Sequence, residues 1–278
     1  MTRQSPESDV FSGKVSRFGF WCSLICIVTA IVAAFLPLDV PEGYSATHTE
    51  RLQWLTENRD AFVAAWVNQI VAMFSLSGLF LALCWRGRLK GPLSALFAAV
   101  AVAMATMAFV IPKFIAIWTI PLLANAATTG GAGGEMAALL LPLLNVSIPF
   151  SLYTSFDYLG FWLYALFAVL MMKPLYGSDG SSKLIAILVG LFGIGFHGAF
   201  ACLLLGVIQA PDIEISFGLS FIPLLLLILI LAVTFWRDRN HAPNNLRSDA
   251  EPAGASGHSF EKTTIPRQRS KHSEKHKL

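Results

Sequence analysis

Apolar residues run along the chain in long blocks, and the blocks are separated by short polar punctuation rather than by the alternation of an amphipathic fold. A helix needs about 20 consecutive apolar residues to cross a hydrocarbon core of about 30 Å. Six blocks reach that length, at 18–36, 62–84, 92–112, 152–172, 184–208 and 217–236, and none contains Lys, Arg or Glu. The pattern predicts an all-α fold: a polytopic membrane helix bundle of six transmembrane helices. The first block follows Lys14 and Arg17 as a secretory signal would, but it is long and lacks an A-x-A cleavage site, so it reads as a spanning helix. Three parts follow from this, a polar N-terminus 1–17, a transmembrane domain 18–236 and a tail 237–278.

The stretches between the blocks carry their own signals. Thr47-His48-Thr49-Glu50 fits a capping box, and Leu52, Leu55, Phe62 and Trp66 continue at helical spacing, predicting a short interfacial helix that leads into the second span. "WRGRLKGP" is a tight cationic turn before the third span, whose many alanines permit close helix approach and predict a central, protein-facing position. Segment 113–151 is expected to be an extra short interfacial or re-entrant piece: "KFIAIWTIPLLA" and "MAALLLPLL" are each interrupted by proline, with "ATTGGAGGE" between them. The glycine run lacks the Gly-Lys-Ser/Thr ending and preceding strand of a phosphate loop.

Composition agrees with the pattern. Of the 278 residues 55% are hydrophobic and 13% charged, against roughly 45–50% and about 25% in soluble domains. The distribution of cations adds an orientation. With the N-terminus inside, 17 of the 20 Lys and Arg fall on the cytoplasmic side, leaving only Arg51, Arg59 and Lys113 outside. Both termini are therefore expected in the cytoplasm. From Arg237 the chain is polar, with nine Lys or Arg, and reads as a disordered tail that either lies against anionic lipid or stays solvated. Cys22, Cys26, Cys84 and Cys202 all fall in or at the ends of spans, so no disulfide framework is expected.

Ionisable residues at membrane depth cost free energy unless paired or wetted, so they are the candidates for chemistry. Within the blocks these are Asp157, near the outer end of the fourth span, and His197, near the middle of the fifth. Asn68, Gln69 and Tyr153 lie at similar outer depth, and the five together predict a polar cavity opening outward. Ala186, Gly190, Gly198, Cys202 and Gly206 recur every four residues, broken by Ile194, as a helix-packing stripe beside His197. No catalytic or metal site emerges. There is no Gly-x-Ser-x-Gly serine, no His-Glu-x-x-His cluster and no second spanning histidine to share a metal or haem, so no cofactor is expected.

"FDYLGFWLYALFAVLMMKPLY" followed by "FGIGFHGAFACLLLG" resembles the later helices of small bacterial inner-membrane proteins in families whose domain has no assigned function. The resemblance covers about 50 residues and rests on an aspartate opening one helix and a histidine inside the next. It implies a bacterial inner-membrane setting and no activity. The expected role is a non-enzymatic accessory, sensor or assembly component, with lipid and a membrane-protein partner or a second copy as its contacts and no nucleic acid. A small-molecule transporter is the alternative, because two sets of three spans have opposite topologies. A membrane enzyme using Asp157 and His197 as an acid–base pair is the third reading.

Overall fold

The computed structural model describes residues 6–248, with side chains over 11–239 apart from Ala132. Its described residues form eight α-helices and two short 3-10 turns, without a strand. Six helices are long and apolar enough to cross a membrane: α1 (Pro6–Ala33), α3 (Arg59–Gly87), α4 (Pro92–Thr129), α6 (Leu152–Leu175), α7 (Gly180–Leu204) and α8 (Ile213–Ser248). The shorter α2 (His48–Glu57) and α5 (Ala132–Leu140) lie between them in sequence. An even number of crossings puts both ends of the bundle's chain at one face, termed here the terminal end. Arg86 in the last turn of α3 and Asp238 on α8 form an ion pair there, at 2.7 Å.

α4 is the centre of the assembly, packing against α3 on one side and α6 on the other. Its sequence explains why. Ala95, Ala98, Ala101, Ala105 and Ala108 recur every three or four residues and are buried, as is Ala116 two turns further on, while Phe97, Met104, Met107, Phe114 and Trp118 are exposed on the opposite side. Small residues let the neighbouring backbones approach, and the large ones face lipid. At Gly160 on α6 the approach is so close that a Cβ would sit 2.7 Å from the Phe109 ring of α4. α1 packs on α3, α7 on α6, and α8 reaches both α7 through Phe217 against Phe196 and α1 through Phe235 against Gly19.

The segment expected to be a separate piece from residue 113 is instead the continuation of α4. This helix runs unbroken through Pro112 and Pro121 for 38 residues, about 57 Å at 1.5 Å per residue and almost twice a hydrocarbon core. Proline removes one backbone donor and strains one turn, which neighbouring helices in a bundle can absorb, so neither proline ends the helix. Gly130 and Gly131, with φ of 80° and 82°, then reverse the chain through a conformation that costs glycine little. α5 returns along α4, close enough that a Cβ on Gly134 would meet the Ala126 carbonyl at 2.8 Å. The result is a helical hairpin that projects beyond the crossing.

This hairpin, α2 and the loops 37–47 and 141–151 build a cap with its own apolar core of Leu55, Phe62, Trp66, Ala116, Ile120, Ala124, Leu141 and Tyr153. The capping box starts α2 as its sequence predicts: Thr47 N–H donates to Glu50 at 2.8 Å and Glu50 N–H to the Thr47 hydroxyl at 3.3 Å. The Thr47 N–H, and the Thr47 hydroxyl 2.7 Å from the same oxygen, hold the Glu50 carboxyl below its ordinary pKa. A break at Asn58 separates α2 from α3. Asp39 ties the loops together, accepting from Arg51 Nη2 at 3.1 Å and from the Ser147 hydroxyl, while Arg51 also donates to the Gly43 carbonyl.

The fifth and sixth spans also differ at their ends. α7 buries Ala186 and Gly190 of the small-residue stripe, but its packing face continues through Val189, Phe192, Gly193 and Phe196. A Cβ on Gly198 or Gly206 would meet nothing within 4 Å, and Gly206 lies beyond the helix. Spacing of exactly four drifts around a helix of 3.6 residues per turn, so a four-residue stripe leaves the buried face after two or three turns. α8 carries the chain past Arg237 to Ser248 as helix, whereas the remainder of the tail predicted over 237–278 lies outside the described residues.

Candidate functional site

Where α4 leaves the crossing and enters the cap, Lys113 Nζ donates to Asp157 Oδ1 of α6 at 2.6 Å. The two side chains are 4% and 24% exposed, so the lysine is sealed in and the aspartate keeps limited access to its surroundings. Lys113 follows the start of α4 by 21 residues, about 32 Å of helix, which places it one hydrocarbon thickness from Pro92. Aromatic faces complete its environment. Nζ lies 5.0 Å from the Phe109 ring centroid and 5.8 Å from that of Trp66, where cation–π attraction supplements the ion pair.

Tyr153, one turn before Asp157, is 1% exposed and packs edge-on against Trp66 at 5.2 Å. Its hydroxyl is buried and has no hydrogen-bond partner among the described residues. The Trp66 indole N–H in turn donates to the Leu38 carbonyl at 3.2 Å, joining the site to the first loop of the cap. The ion pair is thus the polar joint between the membrane bundle and the cap.

The five residues expected around one cavity are distributed differently. Asn68 donates to the Thr29 carbonyl of α1 at 2.9 Å, where it fastens α1 to α3, and Gln69 is half-buried on the same helix. Tyr153 and Asp157 belong to the joint with Lys113. His197 Nδ1 is 2.8 Å from the Gly193 carbonyl of its own helix, and its ring lies 5.7 Å from Trp162. The acid–base pairing of Asp157 with His197 is therefore replaced by the ion pair with Lys113, and the histidine is satisfied within α7.

A cavity of about 510 Å³ does open in this half of the bundle, on the other side of α6. Ser155, Tyr158 and Trp162 of α6, Phe200 and Leu203 of α7, and Ile213 and Phe217 of α8 line it, together with Pro149 and Phe150 from the loop before α6. None of the five expected residues lines it, but two are next to it: Asp157 adjoins Tyr158 in sequence, and His197 contacts Trp162. Its chemistry is that of an apolar slot with a phenol and a hydroxyl at its wall.

A second polar group missed at the sequence level lies deeper. Ser77 of α3 is 2.6 Å from both the Thr106 hydroxyl of α4 and the Tyr164 hydroxyl of α6, joining the three central helices. Thr106 also donates to Val102 O at 2.7 Å. Hydroxyls in Ala- and Leu-rich blocks read as ordinary span residues, and only their convergence distinguishes them. Among the described residues no group of three or more His, Cys, Asp or Glu is placed to hold a metal. Cys22 and Cys26 act in packing: Cys22 Sγ fills the space over Gly78, and Cys26 Sγ lies 3.9 Å from the Ala72 carbonyl.

The fold and the joint define a multi-pass helical membrane protein with a packed cap on one face. Comparison with family models, with curated proteins and with solved structures returned no match.

Proposed function

We propose that the chain is a non-enzymatic accessory, sensor or assembly component of a bacterial inner membrane, with both termini cytoplasmic and the cap outside. Its working element is the apolar cavity between α6, α7 and α8, which takes an amphiphilic small ligand or the apolar side chains of a membrane partner. The observation that carries this reading is the division of labour on α6. Asp157 faces α4 and holds Lys113, while the next residue, Tyr158, lines the cavity and packs 5.1 Å from Phe217 of α8. An occupant that displaces Tyr158 therefore acts on the same turn of helix that anchors the cap. The orientation is supported by the excess of Lys and Arg at the terminal end.

The reading also uses what the site lacks chemically. Asp157 is committed to an ion pair with Lys113 and His197 to a backbone carbonyl, so the acid–base pair that the enzyme reading needs is not formed. Single cysteines at Ser155 and Tyr158 in a background without the four native cysteines, treated in whole cells with a membrane-impermeant thiol reagent, test it. Labelling at both, with Asn68→Cys protected, is expected. Protection of Ser155→Cys and Tyr158→Cys alike, or their labelling only after the cells are opened, overturns it.

A further inference from the structure

At the terminal end, about one hydrocarbon thickness from the Lys113 joint, a second cleft of about 330 Å³ lies among α1, the end of α3 and α8. Ser16, Arg86, Arg88, Leu89, Phe235 and Asp238 contribute to its wall. Its two arginines are in different states. Arg86 is neutralised by Asp238 at 2.7 Å. Arg88 has no carboxylate within 4 Å among the described residues, although it is only half-exposed.

Arg88 is nevertheless fixed in place. Its guanidinium carbon lies 3.4 Å from the centroid of the Trp85 ring, and one Nη donates to the Trp85 carbonyl at 2.6 Å. Trp85 is itself braced from the other side of the cleft mouth by Phe11, at 4.5 Å. A stacked guanidinium with one donor spent keeps four N–H groups, and such a rigid fork matches the paired oxygens of a phosphate. Partial burial of a fixed cation with no counter-charge is unfavourable until an anion arrives.

The position of the cleft selects the kind of anion. Arg88 directly follows the end of the α3 span at Gly87, the level at which headgroups lie. Leu89 and Phe11 beside it are 67% and 47% exposed, an apolar lip suited to an acyl chain and not to a free ion in water. We propose that this cleft is a binding site for the phosphodiester headgroup of an anionic phospholipid, held by Arg88 with its acyl chain along Phe11 and Leu89. The site is independent of the cavity at the other face.

Native mass spectrometry of the full chain in detergent, titrated separately with phosphatidylglycerol and phosphatidylcholine, tests this. The wild type should retain phosphatidylglycerol about fivefold better, the ratio expected for one cation acting on an anionic lipid. Arg88→Gln should bring the two lipids level, and Ser16→Glu, which leaves Arg88 in place and adds a negative charge to the cleft, should do the same. Lys173→Gln, an exposed cation on α6, should leave the preference intact. Equal retention by the wild type, a preference that survives both cleft variants, or one lost equally in Lys173→Gln overturns the assignment. Displacement of phosphatidylglycerol by millimolar inorganic phosphate would also overturn it, in favour of a free-phosphate site.

Discussion

Replacing Asp157 by Leu removes the counter-charge of a lysine that is 4% exposed, and the cost can be worked from the geometry. At 2.6 Å the attraction is about 6 kcal/mol with an effective dielectric constant of about 20. Desolvating each ion costs several kcal/mol, so the intact pair contributes little net stability. Removing one member is different, because the partner's desolvation remains. Asp157→Leu should destabilise the bundle by about 3–5 kcal/mol. Lys113→Met should cost less, since Asp157 is 24% exposed and can take up a proton or reach water. The double variant should lie within about 2 kcal/mol of the wild type, a coupling well above the ~0.5 kcal/mol tolerance for independent sites. Reversible unfolding in mixed micelles of increasing SDS fraction, followed by circular dichroism, gives all three values. A cost below about 1 kcal/mol for Asp157→Leu, or additive single costs in the double variant, would refute the view that this pair is the buried joint.

Three further outcomes are expected. Gly160→Ala places a Cβ 2.7 Å from the Phe109 ring and should cost about 1–3 kcal/mol in the same assay, whereas Gly198→Ala, with open space around it, should be neutral or slightly stabilising. Tyr164→Phe removes the phenol from Ser77 and should cost about 0.6 kcal/mol, up to about 1.7; a larger loss would mean that the hydroxyl triad governs more than helix association. The capping box should respond to acid: the Glu50 pKa is lower in the folded state, so its contribution is complete above the ordinary carboxylate range and disappears as pH falls through the folded value. Hydrogen exchange of the α2 amides, corrected for intrinsic rates, should show protection falling as pH falls in the wild type, and Glu50→Gln, which has no carboxyl to titrate, should abolish that dependence.

The crossing helices and the start of α2 were legible in the chain because both depend on local quantities. Twenty apolar residues cannot avoid helix in hydrocarbon, where every backbone donor must be satisfied within the segment. Likewise Thr47 and Glu50 sit three residues apart and need nothing else in the fold to close their box. Even the central place of α4 followed from its alanines. Lys113 was misassigned for a different reason: Pro112 looked like the end of a helix. A signal was present nonetheless, since Lys113 is the single charge in the apolar stretch from 92 to 124.

What sequence spacing could not decide is which polar groups meet. Asp157 and His197 lie on consecutive, antiparallel spans, yet the partner of Asp157 comes from α4, 44 residues earlier in the chain, and the histidine turns to its own helix. Ser77, Thr106 and Tyr164 converge from three helices, and the cavity is bounded by α6, α7 and α8 where the depth-based grouping implies α3, α6 and α7. Hydrophobic length fixes how deep a residue lies along the membrane normal, because burial in lipid is a one-dimensional constraint. The rotation of each helix about its axis, and hence who faces whom, is set by side-chain packing between neighbours, which only the assembled bundle possesses.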